Sequence, residues 1–130
     1  MTATTIEPTT GQIDALLDAA QHNAGPVVMV NLLRFAGLAG RASYDRYVAE
    51  VATHLEAVGA EVVHAGDTGQ VVIGPEPGSW WDAVVVVRYP SRSAFLAMVQ
   101  SPAYREISIH RTAALLHSEL IATDPWTFEN

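Results

Sequence analysis

The sequence predicts an α+β fold in which helices pack on one face of an antiparallel sheet. Two apolar runs, Val27–Leu33 and Ala83–Val87, are typical of strands buried on both faces, because a half-exposed strand alternates polar and apolar residues. Elsewhere, apolar residues recur at helical spacing. The 130 residues suit one domain, predicted over 1–130 with a flexible tail at 1–9.

Composition excludes several classes of function. With 49% hydrophobic and 16% charged residues, the chain is globular. Its net charge is −7 and it has no cluster of Lys or Arg, so neither nucleic acid nor a membrane is an expected partner. The absence of Cys excludes disulfides and thiolate metal sites. The chain has neither a signal-peptide pattern nor an apolar run of about 20 residues, so a soluble cytoplasmic protein is expected.

The first predicted elements are a helix and a central strand. Thr9 and Gln12 form a capping-box pattern, and the apolar spacing that follows predicts a helix over 10–22. Gly25-Pro26 ends this helix before the strand Val27–Leu33.

A longer helix is predicted next. The glycine-bearing stretch Ala36–Ala42 is expected to be a loop, with Ser43 as the N-cap of the helix. Gly59 ends the helix, as Gly commonly does just beyond a helix C-terminus. The apolar face of this helix consists of Tyr44, Tyr47, Val48, Val51, Leu55 and Val58.

The middle of the chain is predicted to contain a more polar strand, Glu61–Gly66. A turn at Asp67-Thr68-Gly69 is expected to lead to a short partner strand, Gln70–Ile73. Residues 74–79, with their prolines and glycines, are predicted to form a loop.

The last part of the chain begins with the apolar strand Asp82–Tyr89. Ser91 is the predicted N-cap of a helix that packs through Phe95, and Ser101-Pro102 predicts the start of another helix. A final strand is expected at about 115–123.

This order of elements corresponds to a ferredoxin-like βαββαβ sandwich with an extra N-terminal helix. In that plan the two apolar runs are the central strands, and the strands richer in charge and histidine lie outside. Both main helices cover the same face of the sheet, which leaves the other apolar face bare. Each Val or Leu left in water forgoes about 1.5 to 3 kcal/mol of burial.

Two arrangements can shield that bare face. A second copy of the sheet can cover it, which gives a two-fold homodimer built like a barrel. Alternatively, the N-terminal helix covers it within one chain. The homodimer through the sheet face is the arrangement we predict.

Residues scattered along the chain carry a resemblance to a known family. They are Asn31–Phe35, Gly59, Trp80 or Trp81, Tyr89-Pro90-Ser91, Ser101-Pro102-Ala103-Tyr104 and Arg111. Over about residues 26–123 the chain resembles the domain of unknown function 1330 family, in the dimeric α/β-barrel superfamily. Ala103 departs from the pattern, since relatives often carry Glu after Ser-Pro.

The resemblance implies the fold and homodimerisation. It does not imply an activity, because the family has no settled one and its superfamily includes monooxygenases, isomerases, dehalogenating and haem enzymes.

Histidines are the first candidates for chemistry, since they titrate near neutral pH and ligate metals. The five are His22, His54, His64, His110 and His117, and none forms a metal-binding pair by spacing. No metal or cofactor is therefore predicted, and haem is a remote alternative that a Soret band would reveal. His64 is a candidate pocket residue if it faces the space between sheet and helices; otherwise it is a packed or solvated residue.

Asn31 and Arg34 are candidate polar residues at the end of the first strand. Asn31 is either a pocket donor or a structural residue, since its amide needs partners inside a central strand. Arg34 either binds an anion or pairs with an acidic residue.

Three aromatic residues and one arginine complete the candidate pocket. Tyr44, Trp81 and Tyr104 either line an apolar cavity with polar tips or belong to the core. Arg111 shares a helix side with Tyr104, so it is expected to be half-buried and to need a partner. That partner is a substrate carboxylate, or else one of Glu61, Asp82 and Glu119.

Three functions follow as hypotheses. The first is a homodimeric protein with a small-molecule pocket between sheet and helices, which binds a small apolar or carboxylated metabolite. The second is a cofactor-independent isomerase or monooxygenase-like enzyme acting on a small carbon acid, with His64 or Tyr44 as base and Arg111 or Asn31 stabilising negative charge. The third is a structural module without a ligand. A cavity with convergent polar groups would favour the first two, and a cavity His or Tyr with a shifted pKa would favour the second.

Overall fold

A computed structural model describes residues 6–75 and 78–128. Its elements are α1 (Thr10–His22), β1 (Val27–Phe35), α2 (Gly37–Ala57), β2 (Glu61–Asp67), β3 (Ala83–Tyr89), α3 (Arg92–Val99), α4 (Pro102–Ala114) and β4 (Leu115–Thr123). The sheet has the order β2-β3-β1-β4, and its neighbouring strands are antiparallel. The predicted ferredoxin-like α+β fold and its two central strands are confirmed.

The strand register separates the sheet into two faces. Val30 pairs with Val86 on one side and Ile121 on the other, whereas Asn31 pairs with Val85 and Leu120. Because side chains alternate along a strand, odd-numbered residues of β1 and β3 share one face. That face, here called the helix face, supplies all the core residues that come from these two strands: Val27, Met29, Leu33, Ala83, Val87 and Tyr89.

The opposite face, here called the open face, consists of the even-numbered residues of β1 and β3 and their neighbours on β2 and β4. Val28, Val30, Leu32, Val84 and Val86 form its centre. All five are half-buried, and none belongs to the core cluster found in the described part of the chain.

The N-terminal helix does not cover the open face. Helix α1 packs against α3, where Leu17 and Ala20 lie beside Leu96. Leu16 and Ala20 also contact the core on the helix face. The single-chain alternative, in which α1 shields the second face of the sheet, is therefore wrong.

Three of the predicted N-caps, Thr9, Ser91 and Ser101, are confirmed. Thr9 and Gln12 form a reciprocal capping box, and the Ser91 and Ser101 hydroxyls accept bonds from the backbone N–H groups of Ala94 and Tyr104. Beyond the end of α2, Gly59 has φ of 75°, which favours glycine.

The start of α2 differs from the prediction. The helix begins at Gly37 and not after Ser43, whose hydroxyl donates to the His110 carbonyl at 2.8 Å. A Cβ on Gly40 would lie 2.5 Å from the Ala114 carbonyl oxygen. The glycines of this segment therefore allow α2 to pack closely against α4, in addition to forming the turn. The composition of the segment predicts only the turn.

The predicted strand Gln70–Ile73 is also absent from the structure. Val72 and Ile73 are 84% and 95% exposed. After β2 the Thr68 N–H donates to the Asp82 carbonyl, so β2 continues towards β3 and pairs with it directly. Of the predicted loop 74–79, residues 76 and 77 lie outside the described residues.

The chain before α1 contacts α4. The Arg111 side chain donates to the Ile6 carbonyl at 3.2 Å, and the Thr112 hydroxyl donates to Glu7 at 2.8 Å. Residues 1–5 of the predicted tail lie outside the described residues. None of the helices in the described ranges is long and apolar enough to cross a membrane.

Candidate functional site

A cavity of about 1560 Å³ lies between the helix face of the sheet and the helices. Its floor includes Met29, Asn31 and Val85, and its roof includes Tyr44 and Tyr104. The volume exceeds the ~300–1,000 Å³ typical of small-molecule sites. The helix face is therefore not completely filled by the chain's own side chains.

All four tyrosines of the protein line this cavity: Tyr44 and Tyr47 from α2, Tyr89 from β3 and Tyr104 from α4. The Tyr47 and Tyr104 hydroxyls share a hydrogen bond of 2.7 Å. Within the described ranges, the hydroxyls of Tyr44 and Tyr89 have no hydrogen-bond partner. The cavity therefore combines apolar walls with two free phenol groups.

Burial favours the neutral form of Tyr44, Tyr47 and Tyr89. It raises the pKa of Tyr44 to about 12, while the positive charge of Arg111 opposes part of that rise. Burial also raises the pKa of Tyr89, and burial together with Tyr104 raises the pKa of Tyr47. At neutral pH these groups are hydrogen-bond donors and not bases.

Asn31 contributes an amide to the cavity floor. Its Nδ2 donates to the Val85 carbonyl at 3.1 Å, which leaves Oδ1 without a partner among the residues described. Half of the side chain therefore ties β1 to β3, and the other half remains an acceptor.

Arg111 lies in the last turn of α4 and is half-buried in the cavity lining. Its one hydrogen bond runs from Nη1 to the Ile6 carbonyl at 3.2 Å. Across residues 6–75 and 78–128, no carboxylate lies within ion-pairing distance of it. Its predicted partners Glu61, Asp82 and Glu119 make no such pair, so the predicted ion pair between α4 and the sheet is wrong, and the contact present ties α4 to the segment before α1.

Arg41, another arginine of the lining, is fully paired. It binds Asp67 at 2.7 Å and Asp45 at 3.4 Å, and its guanidinium lies 5.4 Å from the Phe35 ring centroid. Hydrogen bonds to the two carboxylates raise the pKa of Arg41. Its charge is neutralised where α2 approaches the end of β2.

Five of the seven predicted pocket residues meet in the cavity lining: Asn31, Tyr44, Trp81, Tyr104 and Arg111. Arg34 and His64 do not. Arg34 pairs with His117 across β1 and β4, donates to the Trp80 carbonyl at 3.2 Å and lies 4.5 Å from the Trp80 ring centroid. Its partner is thus Trp80, which itself lines the cavity, and not an acidic residue.

His64 lies on the open face opposite Val86. A β-bulge between Val62 and His64 shifts the register, so that Val62 and Ala65 face the helices and His64 does not. Regular alternation from Val62 would have placed His64 on the helix face.

Tyr47 and Tyr89 are cavity residues that the sequence analysis did not include in the pocket. Tyr47 lies one turn after Tyr44 on the same helix side, and this i, i+3 spacing is the signal that identifies it. Tyr89 lies four residues after Val85 on the same strand face. In the ranges described, no three His, Cys, Asp or Glu side chains are grouped as a metal ion requires.

The fold and cavity define a ferredoxin-like α+β protein with a largely apolar pocket between sheet and helices. The family model for the domain of unknown function DUF1330 matches residues 36–123. The chain therefore belongs to the DUF1330 family, which confirms the resemblance. No curated protein matches the sequence.

Solved structures agree with this assignment. A protein of unknown function from Rhodopseudomonas palustris, RPA0582, is 32% identical, with 96% of this chain and 99% of that chain covered and a TM-score of 0.79. SnoaB, a cofactor-independent oxygenase from Streptomyces nogalater, is 15% identical, with 81% and 97% covered and a TM-score of 0.57. A dabb family protein with a ferredoxin-like fold from Mesorhizobium loti is 12% identical, with 79% and 99% covered and a TM-score of 0.54. At these lower identities the likeness is one of fold.

Proposed function

We propose that the protein is a homodimer in which each protomer binds a small, mainly apolar molecule in the cavity between sheet and helices. The observation that carries this proposal is the cavity itself, which combines apolar walls with the free hydroxyls of Tyr44 and Tyr89. No buried side-chain polar atom in the described ranges lacks a partner, so these two hydroxyls are accessible from the cavity and can donate to a bound molecule.

The homodimer follows from the open face. Its centre is aliphatic, and its rim carries Glu61, His64, Arg88 and Glu119. An apolar centre with a polar rim is the usual anatomy of a protein interface. A second copy of the same face is self-complementary under two-fold symmetry.

An isomerase or monooxygenase-like reaction is less well supported. His64 faces away from the cavity and so is not available as a base there. Tyr44 does have a shifted pKa, but the shift is upward, to about 12. A phenol that is harder to ionise is a weaker general base at neutral pH, so the cavity favours binding through donated hydrogen bonds.

The cavity is tested by filling it. Val85 lies at the centre of the floor, opposite Asn31, and Val85→Trp places an indole in the space. Calorimetry with 2-naphthoate and 2-naphthamide should show binding of at least one probe to the natural protein. The substitution should weaken that binding by about tenfold or more.

Val72→Trp is the matched control, since Val72 is exposed and outside the lining, and it should leave binding unchanged. Absence of binding by both probes, or equal binding before and after Val85→Trp in a folded protein, would overturn the cavity proposal.

A further inference from the structure

The arginines of the cavity and helix layer are not equivalent. Arg41 binds two carboxylates, and Arg92, buried at the start of α3, binds Asp124 at 2.9 Å. Arg111 is half-buried but contacts one backbone carbonyl. Arg105 of the lining and Arg46 of α2 also have no ion pair among the described residues, but both are exposed. Arg111 therefore differs from the other arginines of the helix layer in being half-buried without a carboxylate partner in the described ranges.

Glu7 and Asp82 are engaged in other hydrogen bonds. Glu7 is the acidic residue nearest along the preceding segment, and it accepts the Thr112 hydroxyl. Asp82 accepts the Phe35 N–H at 2.8 Å. Arg111 is half-buried, and no buried side-chain nitrogen or oxygen in the described ranges lacks a partner, so its remaining N–H groups are accessible to solvent or to a ligand.

Arg111, Tyr44 and Tyr89 line the same cavity. The positive charge of Arg111 also opposes part of the rise in the pKa of both tyrosines. We call this set, Arg111 with Tyr44 and Tyr89, the arginine corner. A planar guanidinium fits a carboxylate through two parallel hydrogen bonds, and a neutral phenol donates to the same oxygens.

We propose that the arginine corner binds the carboxylate of the cavity ligand, with Arg111 as its ion-pair partner and Tyr44 and Tyr89 as hydrogen-bond donors. This inference rests on the proposed function and specifies its ligand class as an apolar or aromatic monocarboxylate. The Ile6 carbonyl occupies one donor of Arg111, and the ligand takes the others. The apolar walls around Met29 and Val85 accommodate the hydrocarbon part.

The test compares 2-naphthoate with 2-naphthamide, which have similar shape but differ in charge. The natural protein should bind the carboxylate about tenfold or more tightly than the amide. Arg111→Gln should weaken 2-naphthoate binding by about 10- to 100-fold and change 2-naphthamide binding by less than about threefold. Arg111→Lys should bind 2-naphthoate more tightly than Arg111→Gln but less tightly than the natural protein. Lysine keeps the positive charge but cannot form the two parallel hydrogen bonds of a guanidinium.

Arg46→Gln is the matched control, since Arg46 is an exposed arginine of α2 outside the lining and its substitution changes the net charge equally. It should leave both affinities unchanged. Tyr44→Phe and Tyr89→Phe should each weaken 2-naphthoate binding by about three- to tenfold.

The outcomes separate the two proposals. If 2-naphthamide binds the natural protein as tightly as 2-naphthoate, or if Arg111→Gln does not reduce carboxylate affinity, the carboxylate assignment is overturned while the cavity proposal stands. Should Arg111→Gln fail to fold, the ratio of the two probes on the natural protein still decides. If neither probe binds the natural protein, both the cavity proposal and the carboxylate assignment are overturned.

Discussion

The two faces of the sheet are built from alternate residues of the same two strands, yet they differ in chemistry. On the open face, Val30 and Val86 lie in a continuous aliphatic centre. On the helix face, Asn31 and Tyr89 bring polar groups into a partly empty core. Both central strands are mostly apolar, but the open face presents aliphatic side chains without a cover from the described part of the chain, whereas the helix face borders a cavity.

The largest effect is expected from a charge on the open face. Val86→Asp should raise the dimer dissociation constant by about 100-fold or more, because a carboxylate would be buried at the centre of the interface. Sedimentation should then show the 14.0 kDa protomer in place of a dimer. Val72→Asp on the exposed loop is the control and should remain dimeric. A natural protein that is already monomeric at micromolar concentration contradicts the dimer.

Neighbouring leucines of β1 sharpen the comparison. Leu33 is 0% exposed on the helix face, so Leu33→Ala should lower the free energy of unfolding by about 3 kcal/mol at any protein concentration. Leu32 lies on the open face, and Leu32→Ala should have an effect that grows with concentration, since its burial depends on the second copy. Urea titrations at two protein concentrations measure the loss in free energy of unfolding for each variant. Equal, concentration-independent losses would argue against the open face as an interface.

Alkaline pH tests the burial of Tyr44. Its pKa is raised from 10.0 to about 12, so its contribution to stability is complete below pH 10 and is lost as pH rises through about 12. The loss amounts to about 2 kcal/mol. Urea unfolding followed from pH 9 to 12 should show this decline, and Tyr44→Phe should reduce it. An unchanged decline in Tyr44→Phe would mean that other groups cause it.

The smallest effect concerns the hydroxyl pair of Tyr47 and Tyr104. Tyr47→Phe or Tyr104→Phe should each lower the free energy of unfolding by about 1 kcal/mol, because one hydroxyl loses its partner. The double substitution should cost less than the sum of the two, as expected for groups in contact. Strict additivity in a double-mutant cycle would show that the hydroxyls do not interact.

Most of the fold was predictable from local signals. The apolar runs identified β1 and β3 as central, and Ser91, Ser101 and Gly59 marked helix ends, because caps and uninterrupted apolar strands depend on neighbouring residues in the sequence. Ser43 misled the prediction of α2, since its hydroxyl bonds to the distant His110 carbonyl and does not cap a helix.

The candidate site was predictable in part. Asn31, Tyr44 and Tyr104 line the cavity as predicted. Strand alternation and helix spacing, which the sequence contains, determine the face on which each of these side chains lies. His64 does not line the cavity, because one extra residue in a β-bulge moves it to the open face. No local sequence pattern predicts that bulge. Among the described residues, the lack of a carboxylate within ion-pairing distance of Arg111 depends on the tertiary arrangement of the acidic residues, so only the structure reveals it.

The most direct test of the two-face account is an NMR titration of the isotopically labelled protein with 2-naphthoate. We predict saturable chemical-shift changes of the Arg111 side-chain N–H resonance and of the backbone amide resonances of Tyr44 and Tyr89. The backbone amide resonances of Val28 and Val84 should not change. Shifts confined to the open face, or no shift at Arg111 when the probe binds, would contradict the account.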